Sequence, residues 1–154
     1  MNQFMQIAIG EAREGMNSNH GGPFGAVIVK DGNIISRSHN KVLHTNDPTA
    51  HAEVEAIREA SAFLERFDLS DCEIYTTSQP CPMCLAAIYW ARIKKIYFGT
   101  DKDEVSSVGF DDSRFYEIIR GHIADPELSF VLVEKEGCLK LLDEWDKKPD
   151  KQMY

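Results

Sequence analysis

The sequence predicts an α/β protein with a mixed, partly parallel sheet of about five strands. Between residues 28 and 97, short apolar runs typical of buried strands alternate with segments of helical period, and this alternation favours parallel pairing. The length of 154 residues suits one compact core. We therefore expect a single domain over residues 1–154, with ligand sites at the carboxyl ends of its strands.

A helix and a β-hairpin are predicted in the amino-terminal third of the chain. The hairpin consists of strands at 24–29 and 33–38, joined by the favoured turn dipeptide Asp31-Gly32. Gly21-Gly22-Pro23 ends the preceding helix. That helix, over about the first sixteen residues, is predicted from apolar residues spaced for one helical face: Phe4, Ile7, Ala8 and Ala12.

Two more helices and three more strands complete the predicted fold. Asp47-Pro48-Thr49 offers a cap for a helix that continues through Leu64. Pro80 and Pro82 flank the start of another helix, from Met83 to Arg92. The remaining strands are expected at 72–77, 95–99 and 130–133.

Composition narrows the possible functions. The formal charge of −8, from 17 Lys and Arg against 25 Asp and Glu, argues against general nucleic-acid affinity, because phosphate binding requires clustered positive charge. No apolar run approaches the roughly 18–20 residues that span a bilayer. The segment Met1–Phe4 lacks the basic and apolar regions of a secretory signal. We therefore expect a cytoplasmic protein without membrane or nucleic-acid partners.

Two short segments carry the chemistry. His51-Ala52-Glu53 and Pro80-Cys81-Pro82-Met83-Cys84 supply one imidazole, two thiolates and one uncommitted carboxylate. Three protein ligands leave one position of a tetrahedral zinc ion open, as in catalytic rather than structural sites. His51, Cys81 and Cys84 are therefore predicted to bind zinc, and the pattern matches that of zinc deaminases.

The spacing of these residues predicts where the metal lies. His51 and Glu53 are about 200° apart on an ideal helix, so both can reach a metal only off the helix N-terminus. Cys81 and Cys84 share one face of a helix start, where the dipole favours thiolates. We expect two helix starts to converge on one zinc. A water activated there, with Glu53 moving protons, suits hydrolytic deamination of an amidine-type carbon.

A non-catalytic, zinc-stabilised module is the alternative from a different functional class. It requires a closed site with a fourth protein ligand, and the candidates are His20, His39, His44, His122 and Cys72. Only one closely spaced ligand pair is present, whereas structural sites usually have two. We interpret Cys72 and Cys138, which stand alone in apolar surroundings, as small core residues.

Beyond the zinc motif, the chain resembles the cytidine deaminase-like superfamily, and within it the bacterial guanine deaminase branch. The resemblance covers nearly the whole chain in register, and it includes the C-terminal Tyr154. The glycine-rich, Ile-Tyr-Trp-Ala-Arg and Phe-Asp-Asp segments favour the branch. The matching stretches are 21–32, 46–54, 80–92 and 109–112.

The resemblance implies a three-layer α-β-α fold and one zinc ion per subunit, held by His51, Cys81 and Cys84. It implies that guanine is hydrolysed to xanthine and ammonia, with Glu53 and Asp112 as catalytic proton shuttles. Cytosine, ammeline, a nucleoside or a tRNA adenosine remain alternative substrates. The implied substrate-binding positions are Phe24, Asn40, Ala52, Trp90 and Tyr154. A homodimer follows, in which the swapped C-terminal segment closes the partner's site.

Several of these positions also have simpler structural explanations. Phe24 begins an apolar run and suits strand core, Trp90 suits helix packing, and Asp111-Asp112 suits a cap before Ser113. Tyr154 suits a frayed terminus. Gln79 departs from the branch, where many members have glutamate before Pro-Cys, and the lost charge bears on substrate preference rather than on zinc binding.

Overall fold

The computed structural model describes residues 2–154, which divide after Tyr116 into two compact units. Each unit is described by itself. The helices are α1 (Gln3–Asn17), α2 (Val42–Thr45), α3 (Ala52–Leu64), α4 (Pro82–Trp90), α5 (Lys102–Ser107), α6 (Ser113–Ile119) and α7 (Lys135–Lys147). The strands are β1 (Gly25–Lys30), β2 (Asn33–His39), β3 (Glu73–Ser78) and β4 (Lys95–Thr100).

The four strands form one mixed sheet in the order β2-β1-β3-β4. Strand β1 is antiparallel to both β2 and β3, and β3 is parallel to β4. The turn between β1 and β2 has positive φ at both Asp31 (49°) and Gly32 (76°), the combination that a two-residue type I′ hairpin requires. The predicted hairpin and the partly parallel sheet are both confirmed.

Helices cover both faces of the sheet. On one face, Ile28 and Ile74 pack in a buried cluster with alanines of α3 and with Ile88 of α4. On the other face, Val27, Val29 and Tyr75 pack against Ala8 of α1. This alternation along β1 and β3 follows the two-residue period of strands. The three-layer α-β-α arrangement is therefore confirmed.

Helix α1 lies directly over β1, and the closest approach is at Gly25. A Cβ atom at Gly25 would lie 2.1 Å from the carbonyl oxygen of Ala8, so only glycine permits this approach. The contact fixes the start of β1 against α1. It thereby sets the position of the preceding residue, Phe24.

The predicted strand at 130–133 is wrong, so the sheet has four strands rather than about five. Residues 130–133 adopt no regular secondary structure, and their side chains are between 69% and 92% exposed. The β-branched apolar composition was a valid strand signal. A strand also needs a hydrogen-bonded neighbour, and this segment has none in the sheet that the structure describes.

Two local predictions also need correction. The N-cap of α3 is His51 rather than Asp47 or Thr49. The Asp47 side chain instead accepts hydrogen bonds from the backbone N–H (2.8 Å) and hydroxyl (2.7 Å) of Thr49, which closes a turn before the helix. Of the two cysteines interpreted as core, Cys72 is buried but Cys138 is exposed on α7.

The C-terminal unit, from Glu117 onwards, contains α7. The apolar side chains of this helix are exposed: Leu139, Leu141, Leu142 and Trp145. An apolar face of this kind normally packs against another surface. Among residues 2–154, no helix is both long enough and apolar enough to cross a membrane.

Candidate metal centre and active site

The first ligand segment lies at the start of α3. His51 is the N-cap, with extended backbone angles (φ −71°, ψ 154°), and its side chain makes no capping hydrogen bond. The imidazole is therefore free to turn toward the loops that follow the carboxyl ends of the strands. Because His51 precedes the helix while Glu53 lies in its first turn, the two side chains escape the 200° separation of an ideal helix and approach one point.

The second ligand segment lies at the start of α4, after the carboxyl end of β3. Cys81 is the N-cap of α4, and its Sγ atom accepts the backbone N–H of Cys84 at 3.5 Å. Pro82 occupies the first helical turn, where its missing N–H costs no hydrogen bond. Cys84 is fully buried. The two helix starts thus meet at one point, as their sequences predict.

The three predicted ligands fit a zinc ion. Nδ1 of His51 lies 3.6 Å from Sγ of Cys81 and 3.5 Å from Sγ of Cys84. With Zn–S and Zn–N bonds of about 2.3 and 2.0–2.1 Å at tetrahedral angles, the expected N···S separation is about 3.6 Å. All three ligand atoms lie within 4.8 Å of one another.

A fourth protein ligand is not found in the part of the chain that the structure describes. Across residues 2–154, the group able to hold a metal consists of His51, Cys81 and Cys84 alone. The histidines that could have closed the site lie elsewhere; His20, His39 and His44 contact one another instead. The centre is therefore open on one side, which a catalytic zinc requires and a structural zinc does not.

Hydrogen bonds link the three ligand side chains and shift their pKa values. A hydrogen bond from the Cys84 thiol, with further ones from His51 and the Cys84 backbone, lowers the pKa of Cys81. The same bond to Cys81 and burial raise the pKa of Cys84. The hydrogen bond to Cys81 raises the pKa of His51. Because zinc binds the deprotonated forms, metal binding expels these protons.

Glu53 is buried beside the three ligands. Its Oε1 atom accepts a hydrogen bond from the Thr76 hydroxyl at 3.0 Å, and both side chains are buried. Burial raises the pKa of Glu53, and the neighbouring Cys81 thiolate adds to that effect. A buried carboxylate with a raised pKa is suited to exchanging protons near neutral pH.

A cavity of about 390 Å³ opens in front of the three ligands and Glu53. This volume falls within the range of about 300–1,000 Å³ typical of small-molecule sites. Aromatic rings form much of its wall: Phe24, Phe110 and Phe115 line it, and Phe24 meets Phe110 edge to face with centroids 4.9 Å apart. Such walls suit a flat aromatic ligand.

Asp111 and Asp112 have separate places at this cavity. Oδ1 of Asp111 accepts the backbone N–H of Ser113 at 2.9 Å, which closes a turn just before α6. The half-buried Asp112 lines the cavity, and burial followed by the Cys81 charge raises its pKa. Nearby, the Tyr116 hydroxyl donates to the carbonyl oxygen of Pro80 at 2.8 Å. This bond joins α6 to the segment that carries Cys81.

Three of the other predicted substrate-binding residues, Asn40, Ala52 and Trp90, do not line the cavity. Asn40 and Ala52 are buried and do not line the cavity. Trp90 is 66% exposed at the end of α4, away from the cavity lining. The cavity lining thus contains Phe24 but not these three residues. Tyr154 belongs to the C-terminal unit and is 70% exposed there.

Three residues of the site were not predicted from the sequence: Thr76, Ser78 and Phe115. A signal for Thr76 was present, because it lies two residues after Ile74 in β3 and so faces α3. Ser78 follows on the same face at the carboxyl end of the strand. Phe115 had no such signal, since the loop and short helix that present it follow no pattern in the sequence.

The mixed sheet between helices and the zinc-type centre at two helix starts define a class of protein. The chain belongs to the cytidine and deoxycytidylate deaminase family, whose zinc-binding region matches residues 1–100. Zinc is the cofactor of this centre, and the protein is a hydrolytic deaminase.

Individual relatives refine this assignment. The chain is 44% identical over 151 residues to guanine deaminase of Bacillus subtilis, covering 98% of this chain and 97% of that protein. The crystal structure of a Bacillus subtilis guanine deaminase superposes with a TM-score of 0.92, covering 100% and 99% of the two chains. A tRNA-specific adenosine deaminase of Aquifex aeolicus is 45% identical over 95 residues, 62% of each protein.

Proposed function

We propose that this protein is a zinc-dependent guanine deaminase that converts guanine and water to xanthine and ammonia. The observation that carries the proposal is the cavity, where a three-ligand centre and a buried carboxylate face aromatic walls. Full-length similarity to guanine deaminase of Bacillus subtilis supports guanine as the substrate. The substrate is accordingly a small molecule.

The side chains at the cavity have two roles: some bind the purine and others transfer protons. We assign the stacking of the purine to Phe24 and Phe110, because their rings line the cavity. Zinc, when bound by His51, Cys81 and Cys84, supplies Lewis acidity that makes a water molecule acidic near neutral pH. Glu53 accepts a proton from that water and delivers it to a ring nitrogen, while oxygen adds to the carbon that bears the amino group.

Asp112 is proposed as the second proton shuttle. Collapse of the tetrahedral carbon breaks the C–N bond, and the leaving amine needs a proton to depart as ammonia. Asp112 lines the cavity and its pKa is raised by burial, so it can take the proton of the added hydroxyl and pass it to the amine, which leaves the new carbonyl oxygen of xanthine. Asp111 also lines the cavity, but hydrogen bonds from Ser113 lower the pKa of its carboxyl, so it is less suited than Asp112 to holding a proton.

An ammonia-release assay tests the substrate directly. The purified zinc enzyme is incubated with guanine, guanosine, cytosine, cytidine, adenine, ammeline and an adenosine-bearing tRNA stem-loop. We expect guanine to give the highest kcat/KM. Faster release from guanosine or from the tRNA would overturn the assignment of guanine while leaving the deaminase chemistry intact.

Deamination of a tRNA adenosine is the second candidate, favoured by the similarity to the Aquifex aeolicus enzyme. The charge of −8 argues against it, because RNA binding relies on lysine and arginine contacts to phosphate. The shared region is also shorter, at 62% of this chain against 98% for the guanine deaminase.

Replacing Asp112 tests whether this residue, rather than its neighbour Asp111, is the second proton shuttle. We expect Asp112→Asn to lower kcat by about 10²-fold, the lower range for loss of one acid–base group, with little change in zinc content. Asp111→Asn is the matched control, because the asparagine oxygen can still accept the Ser113 N–H, and its kcat should stay near that of the wild type. Steady-state ammonia release measures both. A full rate in Asp112→Asn would remove the shuttle role.

We further propose a homodimer in which the C-terminal segment of each subunit packs on the other. Strand β4 is an edge of the sheet, and edge strands offer unpaired backbone groups. Residues 130–133 have strand composition but no partner strand in the sheet described above. The exposed apolar residues of this segment and of α7 also call for a covering surface. A second copy of the chain supplies both the edge and the cover.

Complementation distinguishes a swapped tail from one that closes its own site. Glu53→Gln keeps the tail but lacks the carboxylate, whereas deletion of residues 152–154 keeps the carboxylate but lacks the tail. If tails are exchanged, co-expressed and separately tagged subunits form heterodimers with one complete site. A random mixture should then regain roughly one quarter of wild-type activity. No recovery in purified heterodimers, or a monomer in sedimentation, would contradict the swap.

A further inference from the structure

Three histidines and a glutamate form a cluster outside the cavity lining. His20 follows α1, His39 ends β2, His44 lies in α2, and Glu11 projects from α1. Nδ1 of His20 lies 2.9 Å from Nε2 of His39, and Nδ1 of His39 lies 3.3 Å from Oε2 of Glu11. His39 is buried. The proposed reaction uses none of these side chains.

The contacts fix the direction of the hydrogen bonds. A carboxylate only accepts hydrogen bonds, so Nδ1 of His39 carries the hydrogen and donates to Glu11. In a neutral ring the other nitrogen is then bare, so Nε2 of His39 accepts from the protonated Nδ1 of His20. This assignment of the tautomers follows from the network itself. The donors therefore run in one direction, from His20 through His39 to Glu11.

This chain of bonds is attached to the backbone that presents Phe24 to the cavity. Asn40, the residue after His39, donates its backbone N–H to the carbonyl oxygen of Phe24 at 3.0 Å. Gly21, the residue after His20, lies so near that a Cβ there would be 2.0 Å from Oδ1 of Asn40. Displacement of either histidine is thus transmitted to the turn that carries the Phe24 ring.

We propose that Glu11, His39 and His20 are positioning residues that hold the Gly21–Phe24 turn and thereby place Phe24 against the bound purine. The inference rests on the proposed function, in which Phe24 stacks on guanine. The three side chains do not line the cavity, so they act on substrate affinity rather than on proton transfer. Their loss should raise KM and leave kcat nearly unchanged.

The same geometry makes the chain sensitive to acid. The pair of imidazoles keeps its bond with one added proton, but with two neither facing nitrogen can accept, and the 2.9 Å contact becomes repulsive. Burial, followed by His44 and His39, lowers the pKa of His20, with Glu14 opposing and Lys41 adding to the effect. The neutral form of His20 is therefore favoured, and KM is expected to rise in acid.

His39 faces a different set of groups. Glu11 accepts from its Nδ1 atom, and the other carboxylate oxygen of Glu11 lies 3.3 Å from Nε of Arg37. The Arg37 side chain is largely exposed and makes no bond to the histidine pair in the contacts described. Arg37 therefore provides a matched control, because its removal changes the charge near Glu11 without breaking the chain.

Two substitutions at His39 break the chain at different points. In His39→Asn the amide takes the place of Nδ1, so the contact with Glu11 is kept and the contact with His20 is lost. In His39→Gln the amide takes the place of Nε2, so the contact with His20 is kept and the contact with Glu11 is lost. We expect each to raise KM for guanine about tenfold with kcat changed less than about threefold. Glu11→Ala should act in the same direction, and alanine is a good helix former at this position of α1. Arg37→Gln should leave KM unchanged.

A readout without substrate separates this proposal from the proposed function. In ¹⁵N-labelled wild-type protein, the His20–His39 bond gives a through-bond coupling between imidazole nitrogens, which the His39 variants should lose. Exchange of the Asn40 amide hydrogen should then accelerate about tenfold relative to core amides. If the coupling is lost while Asn40 exchange and KM stay within twofold of wild type, the chain is structural only and the proposal is wrong. If wild type fails to deaminate guanine, the proposed function fails and the exchange result still decides the chain.

Discussion

Replacing Glu53 with glutamine is expected to lower kcat by about 10³-fold, within the range for loss of a general acid–base group. The amide keeps the size of the side chain and an oxygen that can accept from the Thr76 hydroxyl. It cannot accept a proton from water and pass it to the substrate. Zinc content should remain one per subunit, because Glu53 is not among the three ligand atoms.

Glu55→Gln is the matched control for this experiment. Glu55 lies in the same first turn of α3, but its carboxylate pairs with Arg58 at 2.6 Å and Lys41 at 3.6 Å. Glutamine keeps the length of this side chain and an oxygen that can accept from Arg58, so kcat should stay near that of the wild type. A Glu53→Gln enzyme with kcat within tenfold of wild type would show that another group moves the proton.

Replacing Cys84 with serine is expected to abolish both zinc binding and activity. The hydroxyl is a poor zinc ligand compared with a thiolate, and two ligands at Cys81 and His51 cannot hold the ion tightly. If wild type is saturated with zinc at about 1,000 times its Kd, the metal stabilises the fold by about 4 kcal/mol. Loss of that energy lowers Tm by roughly 10 °C for a domain of this size.

Metal analysis, ammonia release and thermal unfolding with and without a chelator measure these effects. The chelator should lower Tm of wild type but not of Cys84→Ser. Cys72→Ser is the control, because Cys72 is equally a buried thiol but belongs to no ligand group in residues 2–154. It should retain one zinc and full activity. A Cys84→Ser protein that keeps stoichiometric zinc would remove Cys84 from the ligand set.

Zinc binding is expected to weaken in acid. Cys84 keeps its proton by donating to Cys81, so its pKa is raised while that of Cys81 is lowered. Binding zinc requires that this proton leave, and acid opposes its loss. Chelator resistance should therefore fall as pH decreases.

The core elements were predictable because their signals are local. The period-two pattern of β1, the Asp31-Gly32 turn and the helical spacing of α1 each depend on neighbouring residues in the chain. The fifth strand failed for the opposite reason, since residues 130–133 can form a strand only beside a hydrogen-bonding edge that lies elsewhere in the fold or assembly. Composition alone does not reveal whether such an edge is present.

The functional site was likewise predictable only where its signals are local. The ligand residues His51, Cys81 and Cys84, and the separate role of Glu53, could be read from two short motifs, because metal ligands have restricted chemistry and spacing. Which groups surround them depends on contacts between distant segments. Thr76 reaches Glu53 across 23 residues, and Phe110 meets Phe24 through a loop far along the chain.

The sequence by itself determined the reaction class: one imidazole, two thiolates and a spare carboxylate at this spacing suit hydrolytic deamination and little else. Only the tertiary structure decided how the site is built around them. It placed His51 and Cys81 at two helix N-caps, brought their ligand atoms within 3.6 Å, and left one side open to an aromatic cavity. The physical reason is that ligand identity is a property of single residues, whereas ligand convergence and cavity shape depend on how helices pack across a sheet.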